Sequence, residues 1–148
     1  MNLAILLPAL LAGMLIPVQS VINAQLTRHL GHPMSATLVS VSVTAFAALM
    51  LFIALRPALP DAGRIAAVPW YLWITGGLIG GYALFMLLFL APKLGAAALM
   101  ATLIAGQLSA SVLIDHQGWF GVAERTISPG RIAGIVLLLA GVLLIRRF

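Results

Sequence analysis

No cysteine occurs among the 148 residues. Disulfides, thiolate nucleophiles and Cys-based zinc sites are therefore excluded, and the redox compartment leaves no trace in the chain. Charge is almost as scarce. Charged residues make up 7% of the chain, against about a quarter in a soluble domain, so a globule facing water could not be covered. Three Asp/Glu stand against eight Lys/Arg, for a formal charge of +5. The basic residues sit singly or in pairs between apolar stretches and form no basic run or basic helix face. That placement suits phosphate headgroups and excludes a nucleic-acid footprint. Catalytic equipment is missing too. His116 beside Asp115 has no positioned nucleophile, and Gly31 and Pro33 prevent His29 and His32 from forming a helical metal pair. Without a metal, phosphate or dinucleotide motif, neither enzyme activity nor a cofactor is expected.

What remains is apolar. Hydrophobic residues reach 63% and the mean hydropathy is +1.16, so the solvent for most of the surface is lipid. A hydrocarbon core of about 30 Å needs roughly 20 apolar helical residues. Five segments come close to that length: about 3–24, 34–55, 69–91, 94–115 and 130–145. The first lacks a basic stretch ahead of its apolar run and reads as a span, not a cleaved signal peptide. Gly31 and Pro33 separate the first two spans, Arg56 to Pro69 the next two, and Pro92-Lys93 marks a tight break between the third and fourth. The stretch from His116 to Pro129 is the longest loop, with room for a short interfacial helix. Trp70, Tyr71, Trp73, Trp119 and Phe120 suit an aromatic belt at headgroup level. The expectation is one all-α transmembrane domain over residues 1–148, with membrane lipid as a constant partner.

Five spans place the termini on opposite faces. Arg56, Arg64, Arg125 and Arg131 then share the N-terminal face, and Arg28, Lys93, Arg146 and Arg147 the other, four against four. Orientation follows an excess of Lys/Arg in cytoplasmic loops, and here there is none. Dual topology is the simplest consequence: copies insert both ways and pair antiparallel. Gly76/Gly80, Gly77/Gly81 and Gly130/Gly134, with Gly141 a heptad later, provide small residues for close helix approach. Helices therefore approach closely, within or between subunits.

The polar residues inside these spans need an account. Gln19 and Asn23 are four apart, hence on one helix face, and Pro17 cannot bond the Gly13 carbonyl, so a kink is expected just above them. Gln107, Ser111 and Asp115 follow an i, i+4, i+8 order; Thr37, Ser40 and Thr44 keep helical spacing in the second span, and Tyr82 lies in the third. Intramembrane polar groups face protein or water and tend to mark pathways. In an antiparallel dimer the partner's polar set comes toward the depth of Gln19 and Asn23, forming two equivalent clusters about an in-plane two-fold axis, the symmetry that alternating access uses. Asp115 and Arg131 lie on one face at adjoining helix ends, as an ion pair or a coupling carboxylate.

The residues Gly13, Pro17, Gln19, Asn23-Ala24, Gly31, Pro33, Ala36, Gly76-Gly77, Gly80, Pro92, Gly95, Ala105-Gly106-Gln107, Asp115-His116, Gly118, Ser128, Arg131, Gly134 and Gly141 together resemble the small YdcZ-type branch of the drug/metabolite transporter superfamily. The chain departs from that pattern in the second span, where Val41-Ser42-Val43-Thr44 stand where a glycine is common. The resemblance implies a bacterial inner-membrane protein that moves a small solute, and larger superfamily members carry ten spans as two inverted halves of five. The expectation is an antiparallel homodimer with ten helices and an inverted repeat. Its cavity is lined by Gln19, Asn23, Gln107, Ser111 and Tyr82, and it carries a neutral or zwitterionic solute. A passive dimeric channel and a non-transporting scaffold or accessory subunit remain the alternatives.

Overall fold

The computed structural model describes residues 3–147, and among them every regular element is helical. The order is α1 (Leu3–Leu30), α2 (Pro33–Leu55), α3 (Ala62–Ala66), α4 (Trp70–Leu94), α5 (Ala96–Gln117) and α6 (Pro129–Arg147), with a single 3-10 turn at Trp119–Gly121. By length and composition α1, α2, α4 and α5 can each cross a membrane, and α6 adds a shorter apolar stretch over Pro129–Ile145.

The boundaries follow local chemistry. α1 has 28 residues, about 42 Å at 1.5 Å per residue, and so exceeds the expected 3–24 by six residues. The added turns carry Gln25, Arg28 and His29, polar residues that can continue a helix into the headgroup region. Pro8 and Pro17 lie inside it; each lacks an N–H, so the Gly13 carbonyl loses its helical donor at Pro17. The helix stops at Gly31, whose amide donates to the Thr27 carbonyl at 2.9 Å. α2 begins at once, with His32 as its N-cap: Nδ1 accepts from the Met34 amide at 3.1 Å, and Pro33 takes the first helical position.

Two expectations about breaks are corrected. Pro92 and Lys93 do not separate the helices; α4 runs through both to Leu94. Proline's fixed φ is compatible with a helix, and the N–H it lacks takes one bond, that to the Leu88 carbonyl, from the last turns of α4. The break falls at Gly95, with φ 76 and ψ 158, a region essentially closed to residues with a Cβ. The long loop after α5 holds only the 3-10 turn in place of an interfacial helix. Instead, the segment after α2 contains a short helix. Asp61 caps α3 by accepting from the Arg64 amide at 2.8 Å, and the Arg64 side chain returns to Asp61 at 3.3 Å.

The chain divides into two compact units, Met1–Pro92 and Lys93–Phe148. In the first, α1 and α2 form a tight hairpin across the Gly31-His32 link. In the second, α5 and α6 pack as a hairpin across the loop that contains the 3-10 turn. Most large apolar side chains on all the long helices are exposed, as lipid-facing or subunit-facing surfaces must be.

Candidate functional site: a polar seam, an exposed amide face and a strapped helix end

The α1–α2 hairpin inverts the usual core. Ser20 (1% exposed), Asn23 (7%) and Thr37 are buried beside Ala36, while the apolar residues of both helices point outward. Asn23 Nδ2 donates to Ser40 Oγ at 3.1 Å, which ties the two helices across seventeen residues of sequence. Lipid offers no partner for an amide, so the amide finds one on the neighbouring helix. The threonines serve themselves: Thr27 donates to the Asn23 carbonyl, Thr37 to the Pro33 carbonyl and Thr44 to the Ser40 carbonyl. Ser20 differs. Its hydroxyl is the buried side-chain polar atom, among the described residues, that has no hydrogen-bond partner. The one-face reasoning that singled out Gln19 missed Ser20, although Ser20, Asn23 and Thr27 recur at helical spacing.

The expected site residues part company. Asn23 is buried in the hairpin, whereas Gln19 is exposed on the same helix. Gln107 and Ser111 are exposed on α5, and Tyr82 is 64% exposed on α4. Each unit thus presents exposed polar groups partway along helices whose exposed surface is mostly apolar. The glycines marked for packing behave similarly. A Cβ placed at Gly76, Gly77, Gly80, Gly81, Gly134 or Gly141 would meet nothing within 4 Å, and at Gly130 only Ser128 at 4.0 Å. None of them serves a close approach inside its own unit.

The second unit carries a different polar construction. Arg131 Nη2 donates to Asp115 Oδ2 at 3.2 Å, with side chains 27% and 29% exposed respectively. Its Nη1 donates to the Arg125 carbonyl at 3.3 Å. The Arg125 amide in turn donates to the Asp115 carbonyl at 2.7 Å, and the Ile127 amide donates to His116 Nδ1 at 3.4 Å. The loop is therefore strapped back onto the end of α5. Gly118 permits the reversal: it closes α5 in the left-handed conformation, φ 61, with its amide on the Ile114 carbonyl. Ser128 then caps α6, accepting from the Arg131 amide at 3.3 Å, one residue before Pro129. Asp115 sits at the negative end of α5 and Arg131 at the positive end of α6, each on the wrong pole for its charge. The pair offsets both misplacements. Phe120, at φ 59 and 86% exposed, holds a strained backbone that presents its ring outward.

The sequence that carries these apolar helices and isolated polar seams matches a known family. The family model described as "Putative inner membrane exporter, YdcZ" matches residues 4–144. The chain belongs to the YdcZ family. It is a multi-pass protein of the inner membrane, and the family's description is that of a transporter, not of an enzyme. The family match runs through the polar seam of the first unit and the strapped corner of the second. Neither the curated proteins nor the solved structures compared with the chain give a match. Among the described residues no group of three His, Asp or Glu is placed to hold a metal ion.

Proposed function

We propose that this YdcZ-family chain is half of a transporter, completed when two copies pair in opposite orientations. The pair encloses a polar cavity lined by Gln19, Gln107 and Ser111, with Tyr82 at its margin. It carries a small neutral or zwitterionic solute by alternating access. The observation that carries this reading is the exposure of Gln19, Gln107 and Ser111 within helices whose exposed surface is mostly apolar. An amide turned toward lipid has no hydrogen-bond partner, so these faces call for a protein or aqueous neighbour. With α6 counted as a span, 19 residues reach about 28 Å, close to the hydrocarbon thickness. Five spans with four basic residues on each face then permit both insertions, and two inverted copies supply the in-plane two-fold axis of alternating access. Amide and hydroxyl lining suits a hydrogen-bonding solute better than a bare cation.

The cysteine-free chain makes the test direct. Single variants Ser128→Cys and Arg147→Cys place thiols at opposite ends of α6. Intact cells are labelled with an impermeant maleimide. About half labelling at each site is the expected result; complete labelling at one site and none at the other overturns the antiparallel dimer. Counterflow in proteoliposomes, run over a panel of amino acids and polyols, tests transport itself. Saturable counterflow lost in Gln19→Ala supports the cavity, and flux without counterflow identifies a passive channel.

A further inference from the structure

α5 has two contrasting sides. Leu99, Ala105 and Val112 are buried, and α5 packs on α6 within its unit. Gln107 lies two residues after Ala105 and five before Val112, so it projects roughly 140–160° around the helix from those two, and about 80° from Leu99. It is exposed. It is also central: α5 runs Ala96–Gln117, which leaves eleven residues on one side of Gln107 and ten on the other. When a helix is inverted about its own midpoint, only the residue at that midpoint returns to its own depth.

From this placement we infer that α5 is the dimer contact, with two α5 helices crossing antiparallel and the two Gln107 side chains hydrogen-bonding to each other on the two-fold axis. The inference rests on the antiparallel reading above and specifies its interface. A primary amide is the side chain best suited to such a position, because it carries both a donor and an acceptor and can pair reciprocally with its own copy. No other group in the chain is bound to be present at that depth; the symmetry supplies it. The neighbours fit the same axis. Residues three, four and seven away from Gln107 share its face, and inversion sets Ile104 against the partner's Ala110, Leu103 against the partner's Ser111, and Met100 against the partner's Ile114. Every such pair is apolar on at least one side, and none brings two charges together. Gly106, where a Cβ would meet nothing within 4 Å, leaves room for the partner backbone beside the axis. The paired amides then form the midplane closure between the two equivalent halves of the cavity, which explains why a primary amide is held at the centre of this face.

Disulfide trapping in native membranes tests the arrangement. Gln107→Cys should form a homodimer under mild copper-phenanthroline oxidation, as only a residue near the axis can. Leu103→Cys alone and Ser111→Cys alone should give little dimer, while cells co-expressing the two should give at least tenfold more. That mixed pair retains Gln107 and so does not depend on the amide's removal. Self-linking at Leu103→Cys, Gln107→Cys and Ser111→Cys alike would mean parallel helices, and would overturn both this interface and the antiparallel dimer. No linking anywhere along α5, with Ser128→Cys and Arg147→Cys still each labelled to about half, would overturn the α5 interface and leave the antiparallel reading standing.

Discussion

Removing the carboxylate of Asp115 tests the strapped corner most sharply. Arg131 lies 3.2 Å from Asp115, and the two side chains are 27% and 29% exposed. A fully exposed pair contributes about 0–1 kcal/mol, while a hydrogen bond to a charged group contributes about 1.5–3 kcal/mol net. Partial exposure places this pair between those ranges. Each member also sits on the wrong helix pole, an unfavourable term of about 0.3–1 kcal/mol apiece that only the partner offsets. Asp115→Ala therefore leaves Arg131 partly buried beside the positive end of α6, bound only to the Arg125 carbonyl. The expected cost is about 1–2 kcal/mol, with Arg131→Ala at least as costly because it also releases that carbonyl. Together the two substitutions should cost less than their sum by about 1 kcal/mol, the signature of direct coupling. Equilibrium unfolding in mixed detergent–SDS micelles, followed by tryptophan fluorescence, measures all four corners of this cycle. Additive single costs, agreeing within about 0.3 kcal/mol, would refute the pairing argument; a double variant as damaged as the worse single variant would strengthen it.

Other outcomes follow from the same geometry. Asn23→Ala, which loses the bond to Ser40, should destabilise the α1–α2 hairpin by about 0.6–1.7 kcal/mol, the range seen for interhelical bonds in membranes, plus a small cavity term in the same unfolding assay. Ser20→Ala removes a buried hydroxyl without a partner and should be neutral or stabilising by up to about 1 kcal/mol; a loss of stability would mean that the hydroxyl is bonded in the membrane. Gly95→Ala forces a Cβ into the positive-φ connection between α4 and α5 and should cost about 1–3 kcal/mol. By contrast Gly77→Ala, where a Cβ meets nothing within 4 Å, should leave monomer unfolding within about 0.5 kcal/mol of wild type. Chemical cross-linking of the same variants would show whether that glycine serves association instead.

Much of this molecule follows from composition and spacing. With 7% charged residues no water-facing surface is possible, so membrane residence and the helical class are decided before any contact is considered: in hydrocarbon, the backbone must satisfy itself within each segment. Spacing also brings Asp115 and Arg131 to adjoining helix ends on one face, where the folded chain sets them in contact. The positions of breaks were less legible. Pro92 looks like a terminator, yet a proline in the last turn removes a single bond, and the chain turns where Gly95 alone can take its backbone angles. The α1 terminus was similarly obscured, because Gln25 to Leu30 are polar enough to resemble a loop but are good enough helix formers to continue into the headgroups.

Only tertiary packing sorted the polar residues by role. Ser20, Asn23 and Gln19 lie within one turn and a half of α1 and look alike as a string; the approach of α2 buries the first two and leaves the third bare. Ser40 gained meaning only as the acceptor for Asn23, and His116 only as the acceptor for the Ile127 amide across a loop that doubles back at Gly118. Which face of a membrane helix is covered depends on its neighbours. In lipid every face is apolar enough to be exposed, so hydrophobic periodicity, the signal that orients a helix in a soluble protein, carries almost no information here.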